Sequence, residues 1–182
     1  MDNLLSAIES LPSWVVTSLS LMTLVVIALL ADTLTKRQLV RMVHRLSSRT
    51  NQIWDDALAD QGVFARVAQV VPALIFYFGL PLIQGLPEKL VTLGQNVASA
   101  YAILLIALTL SALLSAVNTI YEQYPVSSER PIKGYLQVAK IVIFILTAVL
   151  VLAVLMERNP ALLLSGIGAM TAILLLIFKD TI

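Results

Sequence analysis

The sequence predicts an all-α membrane protein with about five transmembrane helices, and three observations carry that prediction. Apolar residues make up 59% of the chain and charged residues 13%, about half the charge of a soluble domain, with a mean hydropathy of +0.91. Five stretches are apolar over a length that can cross a hydrocarbon layer. Ten of the 12 Lys and Arg residues gather on one side of those stretches, as they do in multi-pass proteins.

The first span, residues 14–31, runs uncharged from Trp14 to Ala31, with Glu9 before it and Lys36 after it. Residues 1–13 contain no Lys or Arg, and Leu29 spoils an A-x-A cleavage pattern ending at Ala31. A retained helix is therefore expected rather than a signal peptide, with Trp14 at an interface. From Thr33 to Gln61 the pattern changes. Leu39, Val43, Leu46, Ile53, Trp54, Ala57 and Leu58 recur at helical spacing, while Arg37, Arg41, Arg45 and Arg49 recur every fourth residue. This predicts a basic amphipathic helix between spans one and two, broken near Ser47 to Asn51. Thr50 or Asn51 would cap its second part, and Asp55 and Asp56 would lie in that part's first turn. The four arginines form either a solvated face or a surface for anionic lipid, worth about 1 kcal/mol per basic residue near the membrane.

Span two, residues 67–83, contains Pro72, Gly79 and Pro81, which predict a kink or an early end, followed by a short loop from Gln84 to Gln95. Span three, residues 97–117, carries Ser99, Thr109, Ser111 and Ser115, whose hydroxyls can bond their own helix or a neighbour. An ordered turn region is expected from Asn118 to Gly134. Span four, residues 135–156, places Lys140 near one end, where a lysine can snorkel. The connection from Glu157 to Asn159 is so short that an antiparallel pair with the last span is expected.

That last segment, residues 159–182, opens with Pro160 in a first helical turn and has no charge from Ala161 to Phe178. At 1.5 Å per residue those positions cover about 27 Å, close to a hydrocarbon core. Ser165, Gly166, Gly168, Ala169, Thr171 and Ala172 cluster over two turns, and small residues allow helix backbones to approach closely. With the N-terminus outside, ten Lys and Arg residues fall on the cytoplasmic side (Lys36, Arg37, Arg41, Arg45, Arg49, Arg66, Arg130, Lys133, Lys140, Lys179). Only Lys89 and Arg158 fall outside. That bias predicts an external N-terminus and a cytoplasmic Ile182.

The materials for catalysis are sparse. The chain has no cysteine and one histidine, His44, so a thiolate nucleophile or a His-based metal site cannot be assembled within it. Asp55 and Asp56 read as capping carboxylates, and the Gly166-Ile167-Gly168 stretch follows no strand, so it is no phosphate loop. The basic helix lacks interleaved aromatics beyond Trp54, which argues against nucleic acid. The expectation is a protein that is not an enzyme and needs no cofactor or metal, with membrane lipids as partners. An odd number of spans with uncharged centres also argues against a transporter, the weaker alternative beside a non-conducting structural or assembly protein.

Three stretches resemble one family. RTNQIWDDAL (Arg49 to Leu58) is similar to the T-x-x-x-W-D-D-x-L segment of the small-conductance mechanosensitive channels (MscS-like), in particular their YbdG-like miniconductance branch. PALIFYFGLPLI (Pro72 to Ile83) resembles the next span of that branch, and NPALLLSGIGAMTAILLLIFKD (Asn159 to Asp180) resembles its pore helix. The resemblance implies a homo-oligomer, a heptamer, in a bacterial inner membrane. Its last helices would line a pore for inorganic ions and small solutes that opens under tension on osmotic downshock. On this sequence the pore stripe would be Ser165, Ala169, Ala172 and Leu176, whose steps of four, three and four share one helix face. Leu176 would form an apolar constriction, and Gly168 and Thr171 would pack against the neighbouring subunit. Residues 1–158 would then be the sensor spans and 159–182 the pore-helix segment. The family's cytoplasmic β-rich domain has no counterpart within the 182 residues, so the chain is expected to correspond to the membrane domain of a longer protein.

Overall fold

The computed structural model describes residues 12–47, 57–128 and 131–179. Among these there are five long helices and no strand: α1 (Ser13–Ser47), α2 (Val63–Gly79), α3 (Glu88–Glu122), α4 (Lys133–Leu155) and α5 (Pro160–Phe178). All five are long and apolar enough to cross a membrane. The chain is thus a multi-pass, all-helical protein of the class its composition predicts.

Helix α1 departs from expectation. The first span and the basic stretch after it form one helix of 35 residues, about 52 Å long, so at least up to Ser47 there is no separate amphipathic element. No Gly or Pro lies between Ala31 and Ser47 to stop the helix. Across the apolar-to-basic boundary, Lys36 Nζ pairs with Asp32 Oδ2 at 2.6 Å, an i,i+4 pair in the favourable order. The break expected near Ser47 to Asn51, the caps at Thr50 or Asn51, and Asp55 and Asp56 lie outside the described residues. Where the chain returns, 57–60 form one helical turn, and Ala57 is buried against Ala116 and Ile120 of α3.

Helix α2 contains Pro72 and nevertheless runs on to Gly79; the 3₁₀ turn Leu80–Leu82, with Pro81 in its first positions, then ends the span. Helix α3 begins at Glu88, directly after Pro87, and reaches Glu122, so it exceeds the predicted span at both ends and shortens both flanking loops. A second 3₁₀ turn, Pro125–Ser128, lies in the connection to α4.

Packing follows chain order. Helix α2 packs on α1, α3 on α2 and α4 on α3, and no contact of similar extent joins α1 to α3 or α2 to α4. Each pair is antiparallel, because successive contacts along the pair match in opposite chain order. Thr17 Oγ1 donates to the Gln84 carbonyl at 2.9 Å, while Leu24 lies against Gly79. Arg66 Nη1 donates to the Leu108 carbonyl at 2.8 Å, while Leu80 fits against Gly94, where an added Cβ would stand 2.5 Å from its Cδ1. Lys140 Nζ donates to Ser115 Oγ at 2.6 Å, and Asn96 Nδ2 donates to Glu157 Oε1 at 2.9 Å.

The buried positions explain how these helices adhere in lipid. Ala28, Ala68, Ala73, Ala107, Ala112, Ala116 and Ala153 are all buried, whereas Leu, Ile, Val and Phe side chains dominate the exposed surface. Between helices in lipid there is no gain from burying large apolar groups, since acyl chains solvate them equally well. Association comes from close backbone approach over small residues, supplemented by hydrogen bonds. The alternating topology gathers Arg37, Arg41, Arg66, Lys133 and Lys140 toward one end of the helices, and Trp14, Lys89 and Arg158 toward the other.

Candidate functional site

Helix α5 has a defined start and meets α4 only to a small extent. At the end of α4 the Arg158 N–H donates to the Ala153 carbonyl at 2.8 Å and the Glu157 N–H donates to the Val154 carbonyl at 3.2 Å. This is a Schellman turn whose left-handed residue is Glu157, at φ 53°, where glycine is usual. Two residues later Asn159 caps α5 by accepting from the Ala161 N–H at 2.9 Å, and Pro160 occupies the first helical position. A tight, fully bonded turn therefore fixes where α5 starts.

Beyond that turn α5 is uncovered. It has no buried residue, and only Pro160 and Leu163, in its first turns, are even partly covered. The short connection predicts an antiparallel pair; α4 and α5 do not pack along their length. The reason is that a turn dictates proximity at one end only. In lipid an apolar helix gains nothing from a neighbour that offers no small-residue groove, and α4 turns its own small buried positions, Thr147 and Ala153, elsewhere.

Ser165, Ala169, Ala172 and Leu176 are all exposed on this helix, as are Gly168 and Thr171. Within one chain the structure brings them together only as neighbours on α5. Around Gly166 and Gly168 an added Cβ would meet nothing. The Thr171 hydroxyl donates to the Ile167 carbonyl at 2.8 Å, so it is satisfied inside the helix. Leu176 is 68% exposed. Lys179 follows the helix, and Asp180 lies outside the described residues.

Of the basic stripe, Arg37 and Arg41 are exposed on the last turns of α1. Arg45 lies in the helix but its side chain is outside what is described, and Arg49 lies outside the described residues altogether. Lys140, placed by the sequence where a lysine can snorkel, is turned onto α3, where Ser115 Oγ accepts its hydrogen bond and itself donates to the Ser111 carbonyl at 3.1 Å.

Two polar features escaped the sequence reading. Arg66 counts there only as a positive charge, yet it ties the start of α2 to the middle of α3. Asp32 stands at i,i+4 spacing to Lys36, the one signal in the sequence that points to their pairing. It lines a cleft with Gln69 of α2 and Tyr101 of α3, and only folding brings those positions together.

No protein-family model matches this sequence, and no solved structure matches it at a significant level.

Proposed function

We propose that this chain is a subunit of a homo-oligomeric, tension-gated channel. In this reading α5 of each copy faces a central conducting path, and α1 to α4 form the lipid-facing sensor. The supporting observation is the contrast between α5 and its neighbours. Four helices are sealed to one another over alanines and interhelical hydrogen bonds. The fifth is apolar, capped at its start and uncovered beyond its first turns, yet it carries six small residues over two turns. Lipid alone would be met equally well by large side chains, so notches at these positions suit other helices. A ring of such helices encloses a path whose narrowest part, at Leu176, can exclude ions by dewetting without a charged gate. Tension would favour the open ring because that state occupies more membrane area, as any two-state equilibrium follows the state that a bias favours.

The reading places the N-terminus outside, the arginines of α1 at the cytoplasmic face of a bacterial inner membrane, and seven copies around the pore. Patch recordings of the full-length protein, in cells lacking other tension-gated channels, test it. The expected result is a stepwise current that appears with suction. Silence at lytic tension, together with a monomer or dimer in detergent, would replace it with a non-conducting membrane assembly protein.

A further inference from the structure

A cleft of about 190 Å³ opens between α1, α2 and α3. At one end it is polar, with Asp32 and Lys36 from α1 and Gln69 from α2; toward the other it is lined by Pro72, Phe76 and Tyr101. The same Pro72, Phe76 and Tyr101 begin a second, almost wholly apolar groove of about 480 Å³, which follows α2 and α3 past Leu80, Leu93 and Gly94. The two cavities thus adjoin, with charge at one end only. From Gln69 to Leu80 they follow α2 for about 16 Å, close to half of a hydrocarbon core, which is the depth of a single leaflet.

The charged end is chemically unfinished. Asp32 Oδ2 accepts from Lys36 Nζ at 2.6 Å, but Asp32 Oδ1 is closed off from solvent and accepts no hydrogen bond from the described residues. An ionised carboxylate oxygen has lone pairs that call for N–H or O–H donors. The carboxylate swings about Cβ–Cγ over a broad torsion, so either oxygen can turn into the cleft.

We propose that this cleft binds one aminophospholipid, of the ethanolamine type, from the leaflet on the side of Arg37 and Arg41. Its primary ammonium donates to Asp32, its phosphate pairs with Lys36, and one acyl chain fills the groove beside Phe76, Leu80 and Gly94. The choice of lipid rests on charge complementarity. The site offers a carboxylate and an ammonium one helical turn apart, and an ethanolamine lipid carries the opposite pair, an ammonium and a phosphate, joined by a two-carbon linker. A glycerol headgroup has no cation for Asp32, and a choline headgroup has no N–H to give it. The site is made by α1, α2 and α3 and is independent of α5 and of conduction.

The test uses the full chain in bilayers holding equal amounts of ethanolamine and choline lipids with identical acyl chains. The protein is extracted gently, and lipid retained per protomer is measured by mass spectrometry. The expected result for the unaltered protein is about tenfold preferential retention of the ethanolamine lipid, the ratio that one charge-assisted hydrogen bond supplies. Asp32→Asn should abolish the preference, and Lys36→Met should lower retention of both lipids while leaving their ratio unchanged. Equal retention of the two lipids by the unaltered protein, as expected of a cleft holding only water, would overturn the proposal whatever the variants do. So would a stronger preference for phosphatidylglycerol in a parallel bilayer, which would assign selection to the arginines.

Discussion

Lys140 illustrates how one cationic side chain can be seated on a hydroxyl in an apolar protein. Its ammonium rests on the Ser115 hydroxyl, which passes a hydrogen bond on to the Ser111 carbonyl. Removing one partner is not equivalent to removing the other, because a part-buried cation left without its acceptor loses more than a hydroxyl already bonded within its own helix. Ser115→Ala should therefore cost about 1–2 kcal/mol, whereas Lys140→Met should change stability by no more than about 0.5 kcal/mol. Reversible unfolding in mixed detergent would measure both, and a larger loss for Lys140→Met would show that the cation carries the contact. Leu176 belongs to the proposed pore and not to the packed helices. We predict that Leu176→Ser hydrates the constriction, giving a closed-state leak and a lower opening tension in patch recordings. Unchanged threshold and leak would remove Leu176 from the gate.

Among the elements, the α4 to α5 turn determines where the uncovered helix begins. Glu157 holds a left-handed backbone that a β-branched residue adopts only at a cost of about 1–2 kcal/mol, and its carboxylate ties the turn to Asn96 of α3. Glu157→Val should lose both contributions, about 2 kcal/mol together, whereas Glu157→Gly loses the hydrogen bond but relaxes the backbone and should lie near neutral. Equal stability of the two variants in the same unfolding assay would show that the turn is not under conformational constraint. Helix α1 differs in kind. It carries Arg37 and Arg41 on the same unbroken helix as its apolar span.

For the molecule as a whole, the packing in chain order makes one sealed group, α1 to α4, and one free helix. The alternation of helices brings Arg66, Lys133 and Lys140 toward the end where α1 presents Arg37 and Arg41, and that clustering follows from the contacts between helices. Which face of the membrane that end occupies is predicted from the charge bias to be the cytoplasm. A single cysteine at Val40→Cys should react with an impermeant label only after the cell is opened; labelling in intact cells would invert the topology.

Hydropathy and composition were enough for the all-helical class and for the number of spans, because a chain in lipid must close its backbone hydrogen bonds within helices and must be apolar over a fixed length. The hydroxyl pattern of α3 was also legible, and Thr109 and Ser115 do bond carbonyls four residues back. Local pattern could not locate the interfaces. The alanines that seal α2 and α3 look like any others in an apolar helix, whereas the small residues of α5, conspicuous in the sequence, are exposed and bury themselves against none of the described residues. Nor could it show that α1 runs unbroken through Asp32, or that Asp32 comes to share a cleft with Gln69 and Tyr101. Periodicity reports which residues share a face of one helix; which faces meet depends on close approach between helices distant in sequence, and the folded chain alone specifies that.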